Sequence, residues 1–208
     1  MAAAPFERIP VHRLRLRPAL VRRRATGLLA LLAACLFALP GSTATLEGVR
    51  FAERVDTGDV ELSLHGLALH RYRWVIKAYV AALYLEDETP GAQALEDVPK
   101  RLELEYFWNL RGQDIAEAGD AMLRENVDDA TLATLGPRLR QLNALYEDVA
   151  PGDRYSLTYV PGNGTVLAKN DVPLGSIPGA DFASAYFAIW LGESPLDASV
   201  RDALLTGR

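Results

Sequence analysis

Arg71-Tyr72-Arg73-Trp74-Val75-Ile76-Lys77-Ala78-Tyr79-Val80-Ala81-Ala82-Leu83-Tyr84-Leu85 is the stretch on which the fold turns. It holds no Gly or Pro and is rich in β-branched and aromatic residues, the composition of a strand. Counted by twos, Lys77, Tyr79, Ala81, Leu83 and Leu85 share one face, and Ala78, Val80, Ala82 and Tyr84 the other. Both faces are mostly apolar, as in a central strand covered on both sides. Its middle is Ala81-Ala82, where a buried strand usually carries Val or Ile. Small side chains there leave room above the sheet, and Arg71, Lys77, Tyr79 and Tyr84 stand around that room. The sequence therefore predicts a ligand cavity over this strand, with the rest of the chain as its walls.

Upstream, the parity of the apolar residues changes. Val60, Leu62 and Leu64 alternate with polar residues, and after Gly66 the apolar positions become Leu67 and Leu69. A one-residue shift at a Gly predicts a β-bulge. Before that, residues 46–55 read as a first strand and Asp56-Thr57-Gly58-Asp59 as a turn. Downstream, Leu102, Leu104, Tyr106 and Trp108 face one way, and Arg101, Glu103 and Glu105 the other. Residues 112–127 read as a helix with Ile115, Ala118 or Gly119, and Met122 on one face. A second helical stretch carries Leu135, Leu139, Leu142 and Tyr146, with Pro137 suited to a first helical turn. Tyr155, Leu157 and Tyr159 alternate before the hairpin turn Pro161-Gly162-Asn163-Gly164, and residues 172–177 form a short extended piece. Asp181 is placed to cap a helix with the stripe Phe182, Ala185, Tyr186, Ile189 and Trp190, and a last short helix follows Asp197. This order predicts one α+β domain, an antiparallel sheet covered on one face by helices.

The first 44 residues differ from the rest. Seven arginines precede the uncharged apolar run 25–39, then Pro40-Gly41 and the small residues Ser42-Thr43-Ala44. That is the pattern of a secretory signal peptide, with 45–208 as the mature domain and a periplasmic or secreted destination. An uncleaved membrane anchor is the alternative, although the run is shorter than the roughly 20 residues a bilayer span needs. Lipidation of Cys35 is a further one. Seven arginines and Glu7 give the leader a net +6, so the formal −5 of the whole chain becomes −11 without it. An acidic domain with no basic cluster argues against nucleic acid or an anionic membrane surface as partner. The only cysteine lies in the leader, so the mature chain has no disulfide, thiolate metal site or cysteine nucleophile.

The usual catalytic signatures are missing: G-x-S-x-G, H-E-x-x-H, a P-loop, and G-x-G-x-x-G after a strand. His65 and His70 have no partner ligands at metal-binding spacing, and the bland reading of His65 is a solvated side chain. No metal or cofactor is expected. Arg71 has two readings: a surface ion pair, or a guanidinium over the cavity that binds an anionic oxygen. Lys77 on a buried strand must reach water, an acid or a ligand.

Gly66-Leu67-Ala68-Leu69-His70-Arg71-Tyr72-Arg73 and the block Lys77-Ala78-Tyr79-Val80-Ala81-Ala82-Leu83-Tyr84-Leu85 resemble the signature of the bacterial chalcone-isomerase-like family. Lys100-Arg101-Leu102-Glu103-Leu104, residues 186–192 and Pro195-Leu196-Asp197 support the likeness. The resemblance implies an open-faced β-sandwich, one large antiparallel sheet under a layer of helices. Plant enzymes of this fold close a chalcone to a flavanone, an Arg holding the anionic substrate while a Thr and a Tyr position a water. The resemblance puts that Arg at Arg71 and the Thr on or near Tyr79. The plant Tyr follows Gly-Gln-Gln; here Gly112-Gln113-Asp114 is followed by Ile115. The polar Lys and Asn after it fall on Ala118 and Met122, so three polar groups become apolar. An Arg beside an apolar pocket also resembles a fatty-acid-binding relative of the fold. The expected function is non-catalytic binding of a small amphipathic anion such as a fatty acid, through Arg71, Lys77, Tyr79, Ala81, Ala82, Tyr84, Ile115 and Met122. The alternatives are an isomerase acting on an enone or phenolic substrate with Arg71 and Tyr79 as catalytic candidates, and a scaffold whose cavity is plugged by side chains.

Overall fold

The structure, a computed structural model, describes residues 42–73 and 75–208. The expected signal peptide lies outside the described residues except for Ser42, Thr43 and Ala44, of which Thr43 and Ala44 begin the first strand. Strands β3 (Arg54–Asp56), β4 (Glu61–Tyr72), β5 (Ile76–Leu85), β6 (Lys100–Tyr106), β7 (Arg154–Val160), β8 (Gly164–Lys169) and β9 (Val172–Ile177) form one antiparallel sheet in sequence order. Helices α1 (Gly112–Arg124) and α2 (Asp129–Asn143) are inserted between β6 and β7; α3 (Ala180–Leu191) and α4 (Ala198–Thr206) follow β9. The α+β class and the helix-covered antiparallel sheet are as the sequence predicts.

Residues 46–55 are not one strand. A tight turn at Glu47-Gly48, both with positive φ (53° and 85°), folds β1 (Thr43–Leu46) back on β2 (Val49–Ala52). Gly suits the second position of such a turn, but Glu at the first is not a usual turn residue, which hides the hairpin from a sequence reading. The hairpin covers the second face of the sheet. Phe51 and Val49 form a core there with Leu62, Leu64, Val80, Ala82 and Tyr84. β5 is thus covered on both faces, as its composition requires.

The bulge at Gly66 is present: the pairing of β4 with β5 shifts between Leu64 and Gly66. It keeps Leu62, Leu64, Leu67 and Leu69 on the hairpin side despite the change of parity. Gly66 also admits α4, since a Cβ there would sit 2.3 Å from the Leu204 carbonyl oxygen. His65 is not simply solvated; its Nε2 lies 3.1 Å from the Leu205 carbonyl oxygen.

Two expectations about the helices are corrected. Pro137 lies inside α2 rather than in a first turn; α2 begins at Asp129, capped by Asp128, which accepts from the Thr131 N–H at 2.7 Å. Gly179 precedes α3 with no side-chain cap, because Asp181 is held instead by Arg138 (2.7 Å). Asp197 does cap α4.

Candidate functional site

The helices do not close tightly on the sheet. Between them lies a cavity of about 620 Å³. Its floor is the helix-facing register of the central strands: Tyr79, Leu102, Leu104, Tyr106, Tyr155 and Leu157. Its roof is the α1 face of Ile115, Ala118, Gly119 and Met122, with Tyr186, Ile189 and Trp190 of α3. The space comes from the helix. Ala118 and Gly119 project almost nothing toward the sheet, and a Cβ on Gly119 would meet the Tyr186 hydroxyl at 2.9 Å.

Most of the lining is apolar, and its polar side chains are phenols, two indoles and an imidazole, with the amide of Asn109 and the carboxylate of Asp114. Aromatic neighbours run in an unbroken band from His70 through Tyr79, Tyr106 and Tyr155 to Tyr146, with centroid separations of 4.9–6.2 Å. The Tyr146 and Tyr186 hydroxyls hydrogen-bond each other at 2.8 Å, and the Tyr155 hydroxyl donates to the Glu147 carbonyl at 2.8 Å. Tyr79 Oη and Trp190 Nε1 are buried and make no hydrogen bond of normal geometry, although the indole N–H points near enough to the Tyr79 oxygen to offset part of the effect of burial. Burial pushes the phenols of Tyr79, Tyr106, Tyr146 and Tyr186 well above their ordinary range, and that of Tyr155 up to about 12. They are neutral hydrogen-bonding groups at physiological pH.

At one end His70 Nδ1 lies 3.0 Å from Asp197 Oδ2. The other Asp197 oxygen accepts from the Ser199 N–H at 2.9 Å at the start of α4. Burial pushes the Asp197 carboxyl up, but hydrogen bonds from Ser199 and His70 outweigh it and leave the group below its usual range. One carboxylate thus fixes both a helix terminus and the orientation of the imidazole.

Of the residues singled out from the sequence, Tyr79, Ile115 and Met122 line the cavity. Arg71 and Lys77 do not. They are exposed side by side on the hairpin side of the sheet, where Glu47 takes Lys77 at 2.6 Å and Arg71 at 3.4 Å. The Lys77 hydrogen bond, with Arg71 adding less, holds the Glu47 carboxyl below its usual range. The cause is a second β-bulge. His70 pairs with Tyr79 and Arg71 with Lys77, leaving Ala78 as an extra residue on β5. Strict alternation across Lys77, Tyr79 and Ala81 therefore fails. Arg71 is a surface ion pair, the plainer of its two readings.

Ala81 is buried in the helix-side core without lining the cavity, while Ala82 and Tyr84 pack against the β1–β2 hairpin. The alanine pair is not the floor. The residues sequence reasoning left out are His70, Trp190 and the tyrosines at 106, 146, 155 and 186. The alternation of Leu102, Leu104 and Tyr106 and the stripe Tyr186, Ile189, Trp190 already placed several of them on buried faces. Nothing in the sequence marked those faces as lining a space rather than filling it. Among the described residues no cluster of His, Cys, Asp or Glu could hold a metal ion.

A sequentially ordered antiparallel sheet, roofed on one face by helices that leave an aromatic-banded hollow, defines an α+β ligand-cavity domain. Residues 43–206 match the family model described as chalcone isomerase-like, and the chain belongs to that family. Among solved structures it is similar to a fatty-acid-binding protein of Arabidopsis thaliana, with a TM-score of 0.62 and 15% identity over 79% of this chain and 96% of that one. At that identity the likeness is one of fold. No curated protein matches the chain.

Proposed function

We propose that this protein binds a hydrophobic ligand with a small oxygen-bearing head, of the fatty-acid class, without transforming it. The observation that carries the reading is the open cavity itself, whose volume of about 620 Å³ lies within the range of small-ligand sites. The plugged-scaffold alternative has no support from such a space. Family membership and the fold shared with the plant fatty-acid-binding protein point the same way. The head is recognised differently from the Arg71 clamp expected from the sequence. No Lys or Arg is among the described residues lining the cavity. An ionised carboxylate there would lose its hydration with no lining cation in return, so the cavity favours a protonated acid or another neutral oxygen. The Tyr79 Oη–H, which has no acceptor, is the donor for it, with the Trp190 indole N–H beside the same oxygen.

Native mass spectrometry of gently purified protein tests the reading. We expect a co-purified lipid mass, lost in Ala118→Phe, whose ring would occupy the roof. Protein that carries no such mass, and that takes up no medium- or long-chain fatty acid on titration, would sink it. If the acid binds only when protonated, affinity falls about ten-fold per pH unit above the ligand's own pKa. Two finer expectations are proposed on the sequence: a bacterial protein, on the resemblance of residues 66–85, and action after export, on the arginine-rich leader and its apolar run.

One observation favours a second reading. His70, oriented by Asp197, lines the same cavity and is the arrangement that general acid–base catalysis uses. Spectrophotometric turnover of a chalcone, abolished in His70→Gln, would establish an isomerase in place of a carrier.

A further inference from the structure

Seven large apolar side chains are exposed among the described residues, and six of them stand together. Tyr72, Ile76, Trp108, Leu110 and Leu196 all border the cavity mouth, and Val75 lies in the turn between Tyr72 and Ile76; Val172 alone is elsewhere. They are well exposed: Val75 is 77% accessible, Trp108 55% and Tyr72 53%. The rim is also braced, since the Trp108 indole N–H donates to the Lys77 carbonyl at 2.7 Å and so ties it to the start of β5.

Arg73 lies in the same turn, Arg71 at the end of β4 and Lys77 at the start of β5, while Arg111 beside Leu110 faces Asp114, Glu117 and Asp148 and adds no net positive charge. One acid accompanies the three cations at the end of this hairpin, Glu47 between Arg71 and Lys77. Three cations against one acid make this end of the β4–β5 hairpin positive in a domain whose formal charge is −11. The chain-wide charge, which argues against an anionic partner, averages this corner away.

We propose that the mouth of the cavity docks on an anionic lipid bilayer through Tyr72, Val75, Ile76 and Trp108. Trp and Tyr favour the membrane–water interface, and basic side chains beside them are drawn to anionic headgroups. A second copy is the poorer occupant: a two-fold contact would set this patch against itself and bring Arg71, Arg73 and Lys77 to face their equals. If the cavity holds a lipid-like ligand, as proposed above, docking would open its mouth directly onto the acyl region.

The test uses the full chain with vesicles of equal parts phosphatidylglycerol and phosphatidylcholine carrying brominated acyl chains. The readout is quenching of tryptophan fluorescence. The arginine-rich leader would itself hold the chain near an anionic surface, but quenching requires the rim to enter the bilayer. We expect quenching that weakens with salt and is absent with phosphatidylcholine alone. Arg73→Ala should weaken it about five-fold at low salt, and Val75→Asp should abolish it. Neither side chain lines the cavity, so both variants keep the wild-type response to fatty acid titrated without vesicles. No quenching by wild-type protein, equal quenching in Val75→Asp, or self-association lost in Val75→Asp would each overturn the docking proposal. None of these touches the cavity reading, which fails only if the vesicle-free titration fails.

Discussion

Tyr79 is a buried phenol whose hydroxyl has no acceptor and only the Trp190 indole N–H near it, and an unsatisfied buried group costs up to about 1–3 kcal/mol in a folded protein. Replacing it by Phe removes the orphaned group while keeping the ring against His70 and Tyr106. Tyr79→Phe should therefore leave the empty protein as stable as wild type or more so. It should weaken binding of an oxygen-headed ligand by roughly five- to ten-fold, the value of about one hydrogen bond. Thermal melts with and without fatty acid check both halves, and a loss of stability in the empty protein would mean the hydroxyl already has a partner. Arg71→Ala should change neither quantity, because its guanidinium lies outside the cavity beside Glu47. At this scale the sequence was a partial guide. Tyr79, Ile115 and Met122 were legible because strand and helix periodicity place them. Arg71 and Lys77 were misread because charge on an apolar strand suggests a site, whereas here a glutamate from a distant hairpin answers it.

The bulges of β4 and β5 decide which side chains meet. The first is written in the sequence, since the parity of the leucines changes across Gly66. The second has no such mark. Ala78 is the extra residue, no glycine announces it, and the stretch remains apolar on both parities. Period-two counting is blind to an insertion whose neighbours suit either face. The helices show the same limit: α1 was legible from its spacing, but spacing does not show that its inner face borders a space. Gly66 also fixes the approach of α4. A methyl group there would lie 2.3 Å from the Leu204 carbonyl oxygen and 2.7 Å from that of Ala203. Backbone cannot yield as a side-chain end does, so Gly66→Ala should cost about 3 kcal/mol or more, the upper end of overpacking. Urea unfolding would show it as a lower midpoint at unchanged slope, and a loss under about 1 kcal/mol would mean that α4 detaches freely.

Across the whole molecule, buried titratable groups link the core to pH. Lys100 opens β6 fully buried, its ammonium donating to the Glu96 carbonyl at 2.6 Å and lying 4.9 Å from the Tyr159 ring centroid. Burial lowers it to about 8, although Asp97 and Glu96 pull the other way. Between about pH 8 and the free lysine value of about 10.4 the unfolded chain holds a proton that the folded one has released, so stability rises with pH in that window. The buried tyrosines act in the opposite sense. Tyr79, Tyr84, Tyr106, Tyr146 and Tyr186 are raised by burial, and Tyr155 and Tyr159 to about 12. Above about pH 10 the unfolded chain ionises phenols that the folded one keeps neutral, and stability falls. Chemical denaturation at stepped pH should trace a rise from pH 8, a maximum near pH 10 and a steep decline beyond. In Lys100→Met the rise, on the order of 2–3 kcal/mol for a shift of this size, should vanish while the alkaline decline remains. A variant that keeps the rise would place the titrating group elsewhere than at the head of β6.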